Sequence, residues 1–283
     1  MKPGTQRSIS KRKIRRAFDR AAESYEQAAV LQNEVCGRLL EKLDYIKLAP
    51  QMILDAGVGT GGAVGPLLQR YRGSRLVALD LSERMLAKAL QRGSLFRKPA
   101  LVCADIENLP FADGVFDLIF SSLTLQWCND LQATMEGLLR VLKPGGLLLF
   151  STFGPDTLKE LRACWQQVDS AVHVNDFVDM HDVGDIMLQT GFADPVMEAE
   201  TITVNYASVD RLMLDLRAIG ANTLAPGHRT GLTAPAALAN LRRAYERFRV
   251  DRQLPATYEV VYGHAWKAAA GRRDDRSVKV DFG

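Results

Sequence analysis

Residues 54–62 read LDAGVGTGG, an apolar run that ends in an acid, Asp55, and opens into a loop carrying Gly57, Gly59, Gly61 and Gly62. The loop fits two patterns. Through Gly57, Gly59 and Gly62 it is G-x-G-x-x-G, the dinucleotide fingerprint, whose bare backbone lets a pyrophosphate sit on a helix N-terminus. Through Asp55, Gly57, Gly59 and Gly61 it is D-x-G-x-G-x-G, and the two registers imply different ligands. Asp55 weighs between them, because a carboxylate facing a pyrophosphate repels it and attracts an ammonium group.

Outward from this loop the chain alternates. MILDA at 52–56, LVALD at 76–80, ALVCAD at 100–105, FDLIFSS at 116–122 and GLLLFST at 146–152 are short apolar strands. Between them lie amphipathic helices that begin near Gly61 and Ser82 and span 131–142. Continuous apolar strands separated by helices predict an α/β fold with a doubly wound parallel sheet covered on both faces. In such a sheet the ligand crevice lies beyond the carboxyl ends of the strands. Asp55, Asp80, Asp105 and Ser121 each stand at such an end and are expected to converge.

The flanks read as helical. Apolar spacing predicts helices over 11–27 and 31–46, with Pro50 closing the segment. Beyond Thr152 come helices at 155–168 and at 182–190, the latter started by Asp182, then strands at 200–206 and 257–266. The residues between those strands include LMLDLRAIGA and LANLRRAYERF, and a connection that long carries structure of its own. It is read as a lid over the strand ends, turning at Gly220 and at PGHRTG, 226–231. The expected division is a helical cap at 1–48, a core at 49–206, a lid at 207–256, a last core strand at 257–268 and a tail at 269–283.

The 283 residues, 47% hydrophobic and 24% charged, are those of an ordinary globular chain. No apolar run reaches the ~20 residues of a membrane helix, and no apolar stretch of a secretory signal follows the basic N-terminus. The four cysteines are scattered, without C-x-x-C, which suits reduced thiols in a cytoplasm, and no metal-ligand spacing occurs. Net charge is only +3 but uneven: Lys2, Arg7, Lys11, Arg12, Lys13, Arg15 and Arg16 precede the first acid, Asp19. That basic front is either a solvated terminus or a face for an acidic partner. Neither a nucleic acid nor a membrane is expected as partner.

S-adenosylmethionine meets the demands of the acids, since it carries an ammonium and a sulfonium and no phosphate. Asp80 is placed to accept from both ribose hydroxyls, and Asp105 from the adenine amino group while the Ile106 amide donates to a ring nitrogen. Leu81 and Met85 would wall the adenine.

On these residues the stretch from 50 to 155 resembles the class I S-adenosylmethionine-dependent methyltransferases. LDAGVGTGG, LVALDLSERML, CADIENLPFADGVFDLIFSS and LKPGGLLLFSTF match their successive motifs. The resemblance implies a Rossmann-like sheet of seven strands with the last antiparallel. FDRAAESYEQAAVLQ, SLTLQWCNDL, FSTFGPDTLKELRACWQQVD, HVNDFVDMHDVGD, DLRAIGANT and LPATYEVVYGHAWK narrow it to the malonyl-acyl-carrier-protein O-methyltransferases of biotin synthesis. That resemblance implies methylation of the free carboxylate of a malonyl thioester on acyl carrier protein. It also implies that Tyr25 lies in an N-terminal helix covering the cofactor and that Gln126 and Trp127 line the methyl-transfer pocket. Asp176 departs from the pattern, standing where biotin-pathway enzymes often have Arg. A mitochondrial family of complex I assembly factors shares the N-Y and P-A-T-Y motifs but modifies a protein arginine, so the resemblance alone does not fix the reaction. A methyltransferase for another small molecule, such as a quinone precursor, and a non-catalytic assembly-factor-like relative remain as alternatives.

Methyl transfer to a carboxylate needs no general base, because the nucleophile is already ionised at neutral pH. Arg217, in the lid, is expected to hold that carboxylate from one side. An acidic carrier protein calls for a basic docking face, for which Lys11, Arg12, Lys13, Arg15 and Arg16, with Arg242, Arg243, Arg247 and Arg249 of the lid, are the candidates.

Overall fold

The structure, a computed structural model, describes residues 9–221 and 234–269. Lys2 and Arg7, the expected turns at 226–231 and residues 270–283 of the expected tail lie outside the described residues. Three helices lead in: α1 (Lys11–Ala21), α2 (Tyr25–Ala28) and α3 (Val30–Glu41). The alternating part follows as β1 (Met52–Ala56), α4 (Val64–Arg70), β2 (Arg75–Asp80), α5 (Glu83–Leu90), β3 (Ala100–Cys103), β4 (Phe116–Ser122), α6 (Leu131–Val141) and β5 (Leu142–Phe153). The remainder is α7 (Lys159–Trp165), α8 (Met180–Thr190), β6 (Phe192–Tyr206), α9 (Val209–Ala218), α10 (Pro235–Tyr245) and β7 (Leu254–Lys267).

The strands form one seven-stranded sheet in the order β3-β2-β1-β4-β5-β7-β6. The first five are parallel, and β7 runs antiparallel between β5 and β6. Because successive side chains alternate between faces, each central strand feeds two cores. Ile53, Leu118 and Leu149 join α3, α4 and α7 on one face, while Leu54, Ile119 and Leu148 meet Met135, Leu138, Val183 and Met187 from α6 and α8 on the other. The order reverses between β1 and β4, which puts the switch point at the tip of β1, where Asp55 stands.

Local chemistry sets the boundaries. Ser82 caps α5 by accepting from the Met85 amide (3.2 Å), and Asp130 caps α6 through the Ala133 amide (2.9 Å). The helix expected at 11–27 is two helices, because the Ser24 hydroxyl donates to the carbonyls of Ala21 (3.3 Å) and Ala218 (3.1 Å) and so ends α1 in a turn against α9. The expected start of α8 at Asp182 is corrected to Asp179, whose carboxylate accepts from the His181 amide (2.8 Å). The helix expected at 155–168 is confined to α7, with Leu158 before it in the left-handed region (φ 55°). The strand expected at 200–206 begins eight residues earlier, at Phe192. Its first half, FADPVMEAE, is a half-exposed edge whose acids and proline hide the strand period.

Gly263 of β7 lies flat against the buried Phe150 ring, and any Cβ there would overlap it. Gly263→Ala is therefore expected to destabilise the protein by about 1–3 kcal/mol, the usual cost of overpacking. Urea unfolding should show a lower midpoint at an unchanged m value.

Candidate active site

The glycine loop is shaped by conformation and by close approach. Gly57, Gly59 and Gly61 have φ of 81°, 54° and 88°, a region that side chains disfavour. At Gly57 a Cβ would overlap the Thr124 side chain, and at Gly61 it would come within 2.8 Å of the Ala89 Cα of α5. Gly59 has open space around it, so only its backbone conformation demands glycine, and its amide donates to Asp80 Oδ2 (2.9 Å).

Asp55 is 2% exposed, and its Oδ2 has no hydrogen-bond partner among the described residues. Burial, reinforced by the nearby charge of Asp80, pushes its carboxyl up to about 8. Gln32 Oε1, from α3, is a second buried acceptor without a partner, and both residues line the recess around Gly57, Gly59 and Gly62. Gln32 was not anticipated. Its one signal was a glutamine four residues from Cys36, along the stripe of α3 that packs inward. Among the described residues this recess has no lysine or arginine in its lining. It suits an ammonium donor, and a pyrophosphate would find no cation there.

Asp80 binds both neighbouring loops, with Oδ1 accepting from the Ser82 amide (2.8 Å) and Oδ2 from the Gly59 amide. A carboxylate has roughly four lone-pair sites, so acceptor capacity remains for two hydroxyls. Burial raises its carboxyl to about 6 against the pull of those amides. Leu81, Met85, Asp105 and Ile106 line the adjoining cavity, roofed by Lys11, Ile14, Phe18 and Tyr25 of the N-terminal segment. Ser121 is turned away: its hydroxyl donates to the Ala56 carbonyl (2.8 Å), tying β4 to β1, and Ser122 lines the cavity instead. An adjacent side chain on a strand points to the opposite face, and the sequence pattern alone did not decide between them.

A larger cavity of about 240 Å³ adjoins this one and shares Phe18, Tyr25, Leu123 and Trp127 with it. Gln126 and Arg217 line it, together with Leu161, Trp165 and Met213. Trp127 meets Phe18 edge to face at 5.4 Å. The Gln126 amide donates to the Leu123 carbonyl (2.6 Å), and Leu123 itself is held at φ 49° by Ser151, whose carbonyl and hydroxyl both accept from its amide (3.0 and 3.1 Å). Burial, with Asp80 nearby, raises the Tyr25 phenol far above neutral, so it stays protonated. His173, unanticipated from sequence, stacks on Trp165 at 3.7 Å and shares a 2.8 Å contact with Asp169. Asp176 is exposed and outside this lining, although Asn175 and Phe177 belong to it.

The expected basic docking set divides. Lys11 is not a free surface cation, since its ammonium contacts Asp105 (3.1 Å), Glu107 and the Trp127 carbonyl (3.2 Å). Burial opposes that ammonium, but the Glu107 bond and the surrounding negative charge outweigh it and raise its pKa. Arg15 pairs with Glu83 (3.1 Å), Arg242 with Asp210 (2.9 Å) and Arg249 with Glu246 (2.6 Å), so these three are partly neutralised. Arg247 lies over the Phe248 ring at 4.6 Å. Arg12, Lys13, Arg16 and Arg243 are exposed.

Fold and pocket together define a class I S-adenosylmethionine-dependent methyltransferase. Residues 54–150 match the family described as "Methyltransferase domain". The fold is shared with a putative methyltransferase from Bacillus halodurans (TM-score 0.58, 17% identity, 81% of this chain and 97% of that one). It is also shared with phosphoethanolamine N-methyltransferase 2 of Haemonchus contortus in complex with S-adenosyl-L-methionine (TM-score 0.53, 20% identity, 88% of this chain and 57% of that one). The malonyl-[acyl-carrier protein] O-methyltransferase of Gallionella capsiferriformans is 51% identical over 282 residues, 97% of each chain. That of Laribacter hongkongensis is 50% identical over 96% of this chain and 95% of its own. The chain belongs to the malonyl-[acyl-carrier protein] O-methyltransferase family.

The raised carboxyl of Asp55 fixes the sign of a pH effect. The folded, cofactor-free protein holds a proton there that the unfolded chain releases, so stability falls as pH rises from the ordinary carboxylate range through about 8. Asp55→Asn should remove that loss, so that its melting temperature gains on wild type in the cofactor-free protein as pH rises from 5 to 8, by an amount equivalent to up to about 1.4 kcal/mol per pH unit. The same variant should lose cofactor affinity in calorimetry.

Proposed function

We infer that the protein methylates the free carboxylate of a malonyl thioester carried on acyl carrier protein, using S-adenosylmethionine. The observation that carries this reading is the shared wall: an acidic recess and an apolar cavity meet across Phe18, Tyr25, Leu123 and Trp127, in a chain half identical to malonyl-[acyl-carrier protein] O-methyltransferases. When bound, the cofactor supplies an electrophilic methyl on a sulfonium.

The chain's own residues bind, orient and exclude water. Asp55 and Gln32 would take the ammonium, beside the backbone of Gly57, Gly59 and Gly61. Asp80 would accept from the ribose hydroxyls. Asp105 and the Ile106 amide would read the adenine edge, between Leu81 and Met85. No side chain needs to remove a proton, and the protonated Tyr25 phenol is suited to packing and donation. Gln126 and Trp127 form the wall at the transfer pocket. Arg217, exposed at the rim of α9, would hold the substrate carboxylate from one side and leave an oxygen free to react. In a water-poor cavity such orientation contributes up to ~7–11 kcal/mol toward the barrier.

Arg12, Lys13 and Arg16 on α1, with Arg243 on α10, are exposed cations suited to docking an acidic carrier protein, beside the exposed but ion-paired Arg15, Arg242 and Arg249. We assign α1 to α3 as the cap and α9 with α10 as the lid of the core. We propose a cytoplasmic location, which suits a reaction on a carrier-bound thioester. No described helix is long and apolar enough to cross a membrane.

Mass spectrometry of malonyl-carrier protein incubated with cofactor should show one added methyl on the acyl group, whereas a phenolic quinone precursor should be returned unchanged. The opposite pattern would refute the substrate assignment. Arg217→Gln should raise KM for the malonyl substrate roughly tenfold, the ~1.5 kcal/mol of a charge-assisted hydrogen bond, with cofactor affinity held within about twofold.

A further inference from the structure

The roof over the cofactor cavity is fastened unevenly. Along the α5 side the ion pairs, Arg15 with Glu83 and Lys88 with Glu23 (2.6 Å), are exposed and contribute little, and the middle and end of α1 are held there by the Ser82 hydroxyl donating to Asp19 (2.6 Å) and by the packing of Ala21 and Ala22 on Met85. At the opposite end, the first turn of α1 is fixed by a denser set. Lys11, whose side chain is 26% exposed, brings its ammonium to Asp105, Glu107 and the Trp127 carbonyl. Two residues earlier the chain is stapled through its backbone, with the Ile9 amide donating to Asn129 Oδ1 (2.6 Å) and Asn129 Nδ2 to the Ile9 carbonyl (3.2 Å).

The floor beneath does not depend on Lys11. Glu107 Oε1 accepts from the amides of Asn129 and Asp130 (both 2.9 Å), and Asp105 Oδ1 accepts from the Glu107 amide (3.1 Å). Removing the ammonium therefore leaves the first turn of α1 held there by the Ile9–Asn129 staple alone, while the adenine-side loops stay tied to one another. At its other end α1 stops at Ala21, and the turn before Tyr25 gives it a place to pivot.

We propose that Lys11 is a positioning residue that latches the first turn of α1 over the adenine end of the cavity, and that cofactor enters and demethylated product leaves when this latch opens. Lys11 touches the acid read above as the adenine ligand, so it orients Asp105 while it closes the roof. The proposal rests on the S-adenosylmethionine reading of the pocket and adds to it the route and rate of exchange.

The test is the release rate of labelled S-adenosylhomocysteine from the full-length protein, chased with excess unlabelled compound. Lys11→Met should release it at least tenfold faster than wild type, and Lys11→Arg should restore the rate to within about threefold. Asn129→Ala should also speed release, while Glu83→Gln, on the α5 side, should stay within about twofold. Raising the salt should accelerate release from wild type and leave Lys11→Met unaffected, because screening acts on the charge that variant lacks. Equal rates for wild type and Lys11→Met, or equal acceleration by Glu83→Gln, would overturn the latch while the cofactor reading stands. A wild-type protein that does not bind S-adenosylhomocysteine would overturn both. Thermal melting of Lys11→Met within a few degrees of wild type separates latch loss from misfolding.

Discussion

A carboxylate buried at the tip of β1 with one oxygen left without a partner is the constraint around which the site is arranged. An isolated buried charge is costly, and the protein meets that cost by leaving Asp55 partly protonated until a cation arrives. On the proposed reading, the surroundings serve the approach of that cation. The glycines bring bare backbone beside the acid, Gln32 adds a second waiting acceptor, and Asp80, braced by two amides, fixes the loop at the required distance. The sheet order reverses at the same point, so the fold opens a crevice where the unsatisfied oxygen lies.

The second cavity follows from the parts appended to the core. α1 and α2 come from before the sheet, α9 and α10 from between its last two strands, and all of them reach the carboxyl side of β1 and β4. Their apolar faces enclose a volume that a dissolved carboxylate would not enter without a cation to hold it, and on the proposed reading Arg217 at the rim is that cation. Held dry, the substrate anion and a sulfonium attract one another more strongly than in water, and both charges vanish in products.

The sheet, its parallel half and three of its acid tips were legible because apolar runs of strand length, each closed by an acid, leave few alternatives. The glycine motif spoke for the ligand through Asp55. Pairing was harder to read. Lys11 belongs to a run of basic residues and reads as surface, yet the turn of α1 carries its ammonium to Asp105 and Glu107, 94 and 96 positions away in sequence. Ser121 and Ser122 are adjacent and alike, and only the register of β4 against β1 decides which faces the cavity. Gln32, Trp165 and His173 lie within stretches that carry the family resemblance, but their residue types alone signal no site, and their places arise only where α3, α7 and the segment before α8 meet the sheet. The first half of β6 was hidden because an edge strand facing water keeps its acids.

The central claim is that the lone oxygen of Asp55 waits for an ammonium. The most direct measurement is calorimetric comparison of S-adenosylhomocysteine with its analogue lacking the amino group, on wild type and on Asp55→Asn. Wild type should prefer the amino compound by about a hundredfold, the ~3 kcal/mol of a charge-assisted hydrogen bond to a buried ion, and the variant should lose most of that preference. Equal affinities of the wild-type protein for the two compounds would contradict the account.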